Sequence, residues 1–142
     1  MSQISVILLL CGSTHDLGKV LHPNELTGPG NRHEDDGPGL LEQHGVTPGL
    51  ARFARTHARW RQEDPLTLED LLVALADHIW KGSRDDQLET RVATKLAAAA
   101  NVSQWEAFAG LDEILTVIAA GADDRLAWQR EPTLHMKSSA YS

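Results

Sequence analysis

Hydrophobic side chains recur at helical spacing along most of the chain, most clearly after Thr67. An apolar stripe repeats there every three or four residues and comprises Leu68, Leu71, Leu72, Leu75 and Ile79. Thr67 with Asp70 three positions later is typical of a helix start, and Gly82 is typical of a helix end. The pattern predicts a helix between these two points.

Comparable patterns predict helices from Thr47 to about Arg61, from about Asp86 to Ala100, and from Ser103 to about Ala120. Pro48 favours the first start because proline suits the first helical position. Glu106 completes a capping box with Ser103 at the last start. No segment shows the sustained alternation that is typical of a sheet. The sequence therefore predicts an all-α fold.

The remaining segments are less regular. The apolar run from Ile4 to Cys11 predicts the buried body of a first helix, with a short core strand as the alternative. Residues 21–39 are dense in proline and glycine and predict a loop with about one turn of helix. We expect one helical bundle over residues 1–128, followed by a loose C-terminal tail at 129–142.

Composition limits the function classes. A chain of 142 residues with 42% apolar content is long enough for one compact domain. Its formal net charge of -7 argues against general binding to nucleic acid or to an anionic membrane surface. The single cysteine, Cys11, excludes an internal disulfide and a multi-cysteine zinc site, which fits a cytoplasmic location. The apolar run near the start is also too short to span a bilayer and has no basic residue before it.

Two polar residues occupy apolar helix faces and are candidates for chemistry. Asp77 lies in the middle of its predicted helix and shares a face with Val73, Ala74 and Trp80. An ionised carboxylate in that position needs a compensating arginine or metal ion. His57 lies in the same way on a predicted core face, where a histidine bonded to a backbone carbonyl is the alternative to a metal ligand.

Histidines and acids also recur at intervals of about twenty residues, at His15 and Asp16, His33, His57 and Asp77. A helical bundle can bring side chains from separate helices to one central point. The segments that carry these residues are "THDLGKV", "RHEDDGPGLL", "ARTHARW" and "ALADHIWKG". Together, over about residues 8–82, they resemble the HD-domain superfamily of metal-dependent phosphohydrolases.

The resemblance implies a set of metal ligands at His15, Asp16, His33, His57 and Asp77. It implies that His15 and Asp16 bind the first ion, that Asp16 bridges two ions, and that Asp77 closes the first site. His33 and His57 match the pair that holds a second ion in binuclear members.

The resemblance also implies roles beside the metal. Lys19 matches a lysine that meets a substrate phosphate, with structural pairing to an acid as the alternative. Glu34 is expected to orient a ligand or water, with a solvated loop acid as the alternative. With Asp16, these two residues are the candidate catalytic residues. Three basic residues flank the proposed centre and either attract an anionic substrate or are surface charges, namely Arg59, Lys81 and Arg84.

Imidazole and carboxylate ligands suit one or two divalent transition ions, Mn, Fe, Co, Ni or Zn, and are compatible with Mg²⁺. The implied activity is hydrolysis of a small phosphorylated substrate, a nucleotide or another phosphate ester, through a metal-activated water. Two alternatives stay open. One is an oxygenase with a di-iron centre on the same fold, and the other is a degenerate HD domain that binds or regulates without turnover.

The chain departs from the family pattern at its start. Family members usually carry a further histidine on a helix well before the HD pair, and residues 1–14 contain no histidine. We expect that the chain begins inside the domain and lacks the usual first helix. The alternatives are that another residue or subunit substitutes, or that the first site is incomplete. Core surface left uncovered in this way makes a homodimer the expected assembly.

Overall fold

The computed structural model describes residues 10–130, which form helices and turns and contain no strand. The prediction of an all-α fold is confirmed. The α-helices are α1 (residues 10–14), α2 (Arg32–Gln43), α3 (Pro48–Ala51), α4 (Phe53–Arg59), α5 (Leu68–Trp80), α6 (Asp86–Ala100), α7 (Gln104–Ala120) and α8 (Ala122–Arg130). Two short 3-10 helices, Leu17–Val20 and Pro23–Leu26, lie between α1 and α2. Across residues 10–130, no helix is long and apolar enough to cross a membrane.

Side-chain caps confirm two of the predicted helix starts. The backbone N–H of Thr67 donates to Asp70 Oδ2 at 2.9 Å, and the N–H of Asp70 donates to Thr67 Oγ1 at 3.2 Å. Ser103 and Glu106 form the predicted capping box of α7. Gly82, predicted to end α5, has a φ of 76°, a conformation that favours glycine.

Residues 32–39 were predicted to be loop, and that prediction is wrong because α2 begins at Arg32 and contains Pro38. Every fourth residue of this helix is buried, at His33, Gly37 and Leu41. Burial of this face outweighs the hydrogen bond lost at Pro38. Gly37 also relieves the usual clash between a proline ring and the preceding residue, because it has no Cβ.

The other boundaries follow the predictions with local differences. The helix predicted from 47 to 61 begins at Pro48 as expected and is divided at Arg52 into α3 and α4, although the Arg52 backbone stays helical. The sequence did not predict α8, which reaches two residues into the expected tail. Of the apolar run from Ile4 to Cys11, residues 10 and 11 belong to α1 and the rest lie outside the described residues, as does the tail from 131.

The chain forms two compact units, Met1–Asp77 and His78–Ser142. In the first unit, α2 packs against the 3-10 helix Leu17–Val20 and against α4. Its apolar core includes one cluster of Cys11, Phe53 and Val73 and another of Leu41, Ala51 and Ala54. The prediction of a single domain over residues 1–128 stays a prediction.

In the second unit, α6 packs against α7. Arg84 donates from Nε to the buried carboxylate of Glu89 at 2.7 Å and from Nη2 to Asp112 at 2.5 Å. The guanidinium of Arg125 lies over the ring of Trp80, 4.4 Å from its centroid.

Candidate metal centre

Asp16 is the side chain that the predicted ligands of the first unit surround. It lies in the turn between α1 and the 3-10 helix Leu17–Val20. Its carboxylate oxygens face the Nε2 atoms of His15 at 3.7 Å, His33 at 3.4 Å and His57 at 3.8 Å. These histidines come from the same turn, from α2 and from α4, so three separate elements meet at one carboxylate.

Asp77 completes the cluster from α5. Its Oδ1 lies 3.4 Å from Nε2 of His15. Two groups of side chains could each hold a metal ion, and within each group the ligand atoms all lie within 4.8 Å of one another. The groups are His15, His57 and Asp77, and Asp16, His33 and His57. The structure thus brings all five predicted ligands together. It differs from the expected grouping in two respects, because His57 belongs to both groups and Asp16, which was expected to bind the first ion and to bridge two, belongs only to the group with His33 and His57.

Each of the three histidine rings is fixed through its Nδ1 atom. The acceptors are the Gly12 carbonyl for His15 at 2.8 Å, the Phe53 carbonyl for His57 at 3.1 Å, and the Glu25 carboxylate for His33 at 2.6 Å. A carbonyl oxygen only accepts, so Nδ1 carries the proton and Nε2 of the neutral ring keeps its lone pair. The sequence left two interpretations of His57, a histidine bonded to a backbone carbonyl or a metal ligand. Its contacts fit both, since Nδ1 bonds the Phe53 carbonyl and Nε2 faces Asp16.

Electrostatics favour neutral imidazole at His57 and carboxylate at Asp16. Burial, together with the neighbouring His15, lowers the pKa of His57 to about 4. Burial raises the pKa of Asp16, but the hydrogen bond from Lys19 and the nearby histidines outweigh it and hold that pKa below its ordinary value. Burial lowers the pKa of His15, and the carboxylates of Asp77 and Asp16 more than offset this, so the net shift is upward.

The side chains fit a divalent cation. Within the described residues, Nε2 of His15 is buried without a hydrogen-bond partner, although Asp77 lies 3.4 Å away. The separations of 3.4 to 3.8 Å between imidazole nitrogens and carboxylate oxygens suit ligand atoms that share an ion at about 2.0–2.2 Å. Three imidazoles with two carboxylates form a donor set that transition metals accept.

Lys19 and Glu34, the other candidate catalytic residues, each have an ionic partner. Lys19 Nζ donates to Asp16 Oδ2 at 2.7 Å, which is the acid pairing that the sequence left open. Glu34 lies on α2, and its Oε2 accepts from Arg59 Nε at 3.3 Å. Arg59 also contacts Asp35 at 2.9 Å, so acids compensate its charge. The catalytic roles of Lys19 and Glu34 stay predictions.

Lys81 and Arg84, which flank the motifs in sequence, belong to the second compact unit. Arg84 is engaged by Glu89 and Asp112 there. Its guanidinium therefore serves the packing of the second unit, and attraction of a substrate by these two residues stays a prediction.

Sequence reasoning missed Glu25, which holds the His33 ring. Burial raises the pKa of Glu25, but hydrogen bonds from the His33 ring and from the backbone N–H groups of His33 and Arg32 lower it to about 2. The available signal was an acid in the loop between two candidate ligands, since metal-binding histidines commonly bond a carboxylate through their second nitrogen. Spacing alone does not reveal it, because the contact depends on how the loop folds.

The family model of the HD domain matches residues 5–80, which is more than half of the chain. The chain therefore belongs to the HD-domain family, a superfamily of metal-dependent hydrolases. No curated protein and no solved structure gave a match to this chain.

Proposed function

We propose that this HD-domain chain is a metal-dependent phosphohydrolase that acts on a nucleotide or another phosphate ester. One observation carries the proposal. The Nε2 atoms of His15, His33 and His57 all face carboxylates while each Nδ1 is already engaged by another acceptor. This arrangement is typical of histidines prepared to bind metal, because the Nδ1 bond sets the tautomer and the ring orientation.

The two donor groups indicate how ions would be held. His15, His57 and Asp77 would hold an ion in one group, and Asp16, His33 and His57 would hold an ion in the other. His57 can serve only one of these ions at a time, because its Nε2 has a single lone pair. When bound, a divalent metal lowers the pKa of a coordinated water and offsets negative charge on phosphate oxygens. The carboxylates of Asp16 and Asp77 bring negative charge to the two groups, which favours binding of a cation.

Lys19 supplies a cationic group beside the centre. Its side chain is 22% exposed and its ammonium lies 2.7 Å from Asp16 Oδ2, so it is both held in place and open to solvent. An ammonium has three N–H donors, and the bond to Asp16 uses one of them. We infer that a remaining N–H donates to a phosphate oxygen of the substrate. Glu34 would support this side of the site through Arg59 and α2.

The substrate is expected to be small and phosphorylated. The formal net charge of -7 disfavours a long polyanion, whereas a single phosphate group can be bound through a local cation. Two test substrates represent this class. A nucleoside monophosphate carries a base and a sugar, and a simple aryl phosphate carries neither.

The test is release of inorganic phosphate from these compounds after addition of Mn²⁺, Co²⁺, Ni²⁺, Zn²⁺ or Mg²⁺. Wild-type protein and the control variant His44→Ala should hydrolyse at least one substrate equally well, because His44 is exposed at the end of α2. Asp16→Ala should show no activity above background. Equal activity of the Asp16 variant would contradict the proposal. Iron-dependent oxygen uptake without phosphate release would favour the oxygenase, and ligand binding without turnover would favour a regulatory domain.

A further inference from the structure

The side chain of Glu25 connects the short 3-10 helix that carries it to the start of α2 by hydrogen bonds. It lies in the 3-10 helix Pro23–Leu26, and its side chain is 8% exposed. Its Oε1 accepts from the backbone N–H of Arg32 at 3.1 Å, and its Oε2 accepts from the backbone N–H of His33 at 3.2 Å. The same Oε2 accepts from His33 Nδ1 at 2.6 Å. One carboxylate thus binds both the beginning of α2 and a ring that this helix carries.

These bonds make Glu25 the cap of α2. Among the described residues, Asn31 at the N-cap position makes no side-chain capping bond, and the carboxylate of Glu25 takes its place. A negative charge also suits the first turn of a helix, where N–H groups lack intrahelical partners. Because both oxygens are engaged, the carboxylate has a fixed orientation relative to the His33 ring.

We propose that Glu25 is a positioning residue of the metal centre, which fixes the Nδ1–H tautomer and the orientation of His33 so that Nε2 faces Asp16. The inference rests on the proposed function in taking His33 as a metal ligand. His15 and His57 are held by backbone carbonyls, whereas His33 is held by a side chain from another segment. The segment around Glu25 thereby determines whether the Asp16, His33 and His57 group is assembled.

Gly30 provides the space that this contact needs. A Cβ built at Gly30 would lie 2.5 Å from the carboxyl carbon, the Cγ and the Oε1 of Glu25. The side chain of Glu25 is flexible enough to move away, so Gly30→Ala should displace the carboxylate from His33 while leaving it in the chain. This variant tests the position of the charge separately from its presence.

The chain offers a matched control in Asp36 and His22. Their side chains form a second histidine–carboxylate pair, with His22 Nε2 and Asp36 Oδ2 2.6 Å apart, between the same loop and α2. Within residues 10–130, His22 belongs to neither potential metal-binding group. Asp36→Ala removes a comparable tether without touching a ligand ring.

The first measurement is the ¹⁵N NMR spectrum of the histidine rings in metal-free protein. In wild type and Asp36→Ala, His33 should be the Nδ1–H tautomer, and in Glu25→Ala and Gly30→Ala it should shift toward a mixture of tautomers. Glu25→Gln should keep more of the Nδ1–H form than Glu25→Ala, because its amide oxygen still accepts a hydrogen bond. An unchanged His33 tautomer in Glu25→Ala would overturn the proposal, whatever the protein does catalytically.

The second measurement is calorimetric titration of the same proteins with Mn²⁺. Glu25→Ala and Gly30→Ala should weaken one class of binding site by about 10–100-fold, and Asp36→Ala should bind like wild type. Equal weakening in Asp36→Ala would show general damage and overturn the proposal. A wild type that binds Mn²⁺ without hydrolysing any phosphate ester would contradict the proposed function alone. If no variant binds Mn²⁺, the tautomer of His33 still decides the role of Glu25.

Discussion

Oδ1 of Asp16 lies 3.4 Å from Nε2 of His33, although Asp16 lies in the turn after α1 and His33 lies in the first turn of α2. Two glycines allow this approach. A Cβ built at Gly18 would overlap the His33 carbonyl oxygen and would lie 3.0 Å from the Cα of Gly37. Close packing therefore explains why glycine stands in the "HDLGK" segment, since Gly18 lets the turn that carries Asp16 lie against α2.

Gly18→Ala should destabilise the first unit and separate Asp16 from His33. Its Cβ would meet backbone atoms, which cannot rotate away as a side chain can. We expect a loss of about 1–3 kcal/mol in the free energy of unfolding and a melting temperature lower by several degrees. Thermal unfolding followed by circular dichroism measures this.

Gly39→Ala is the matched control for that variant. It changes a glycine of α2 where no described atom lies within 4 Å of the added Cβ. We expect unchanged stability or a gain of up to about 1 kcal/mol from helix propensity. Equal destabilisation by the two substitutions would rule out close packing as the cause.

His57→Gln should impair metal binding more than His33→Gln. His57 belongs to both potential metal-binding groups, whereas His33 belongs to one. The His33 variant should keep the complete group of His15, His57 and Asp77, whereas the His57 variant lacks a ligand in both groups and should bind metal weakly or not at all. Metal stoichiometry after dialysis against a weak chelator measures the difference, with circular dichroism as the check on folding. Equal stoichiometry in the two variants would refute the shared position of His57.

Lys19→Met should weaken substrate binding and leave metal binding intact. Lys19 donates to Asp16 at 2.7 Å and keeps part of its side chain open to solvent. A hydrogen bond to a charged group contributes about 1.5–3 kcal/mol, so we expect KM for a phosphate ester to rise about tenfold or more. Lys19→Arg, which keeps the charge, should retain more of the affinity. If KM of the metal-loaded Lys19→Met variant were unchanged, pairing with Asp16 would be the only role of Lys19.

Asp70→Asn should reduce stability at neutral pH and have a smaller effect in acid. Asp70 is buried, and its carboxylate accepts from Arg52 Nε at 3.1 Å, Thr56 Oγ1 at 3.0 Å and the Thr67 N–H at 2.9 Å. Burial raises its pKa, but bonds from Thr67 and Arg52 outweigh this and hold the pKa below 3.8.

Because this pKa is lower in the folded state, the ionised carboxylate stabilises the fold fully above the unfolded value of 3.8, and the contribution falls as pH drops through the folded pKa. The substitution should cost about 1–3 kcal/mol at neutral pH. The difference in melting temperature between wild type and Asp70→Asn should shrink below pH 3.8. A difference that stays constant with pH would show that ionisation of Asp70 contributes nothing.

Local signals in the sequence predicted much of the fold. The pairs Thr67 with Asp70 and Ser103 with Glu106 are caps that act within a single turn, so their geometry follows from spacing. Pro38 led to the wrong prediction of a loop, because the hydrogen bond that a proline removes from a helix can be recognised from the sequence. The burial of His33 and Gly37, which offsets this loss, depends on tertiary packing. The weak pattern of α8 gave no comparable signal.

The candidate ligands were predictable by residue type and motif, and the structure brings them together. The sequence could not show that His57 reaches both groups, because that depends on the angle at which α4 meets the turn of Asp16. It also could not show Glu25, whose bond to His33 exists only once the intervening loop has folded. The sequence thus failed to predict those contacts that form only when separate elements pack together.

The central claim is that imidazoles and acids from separate elements hold a shared cation around Asp16. Elemental analysis of protein purified without added metal, for wild type, Asp16→Ala and the control Asp36→Ala, tests it most directly. Wild type and Asp36→Ala should carry a divalent transition metal, and Asp16→Ala should carry little or none. The claim would be contradicted if wild type neither retained a metal nor took one up from solution, or if Asp16→Ala carried as much metal as wild type.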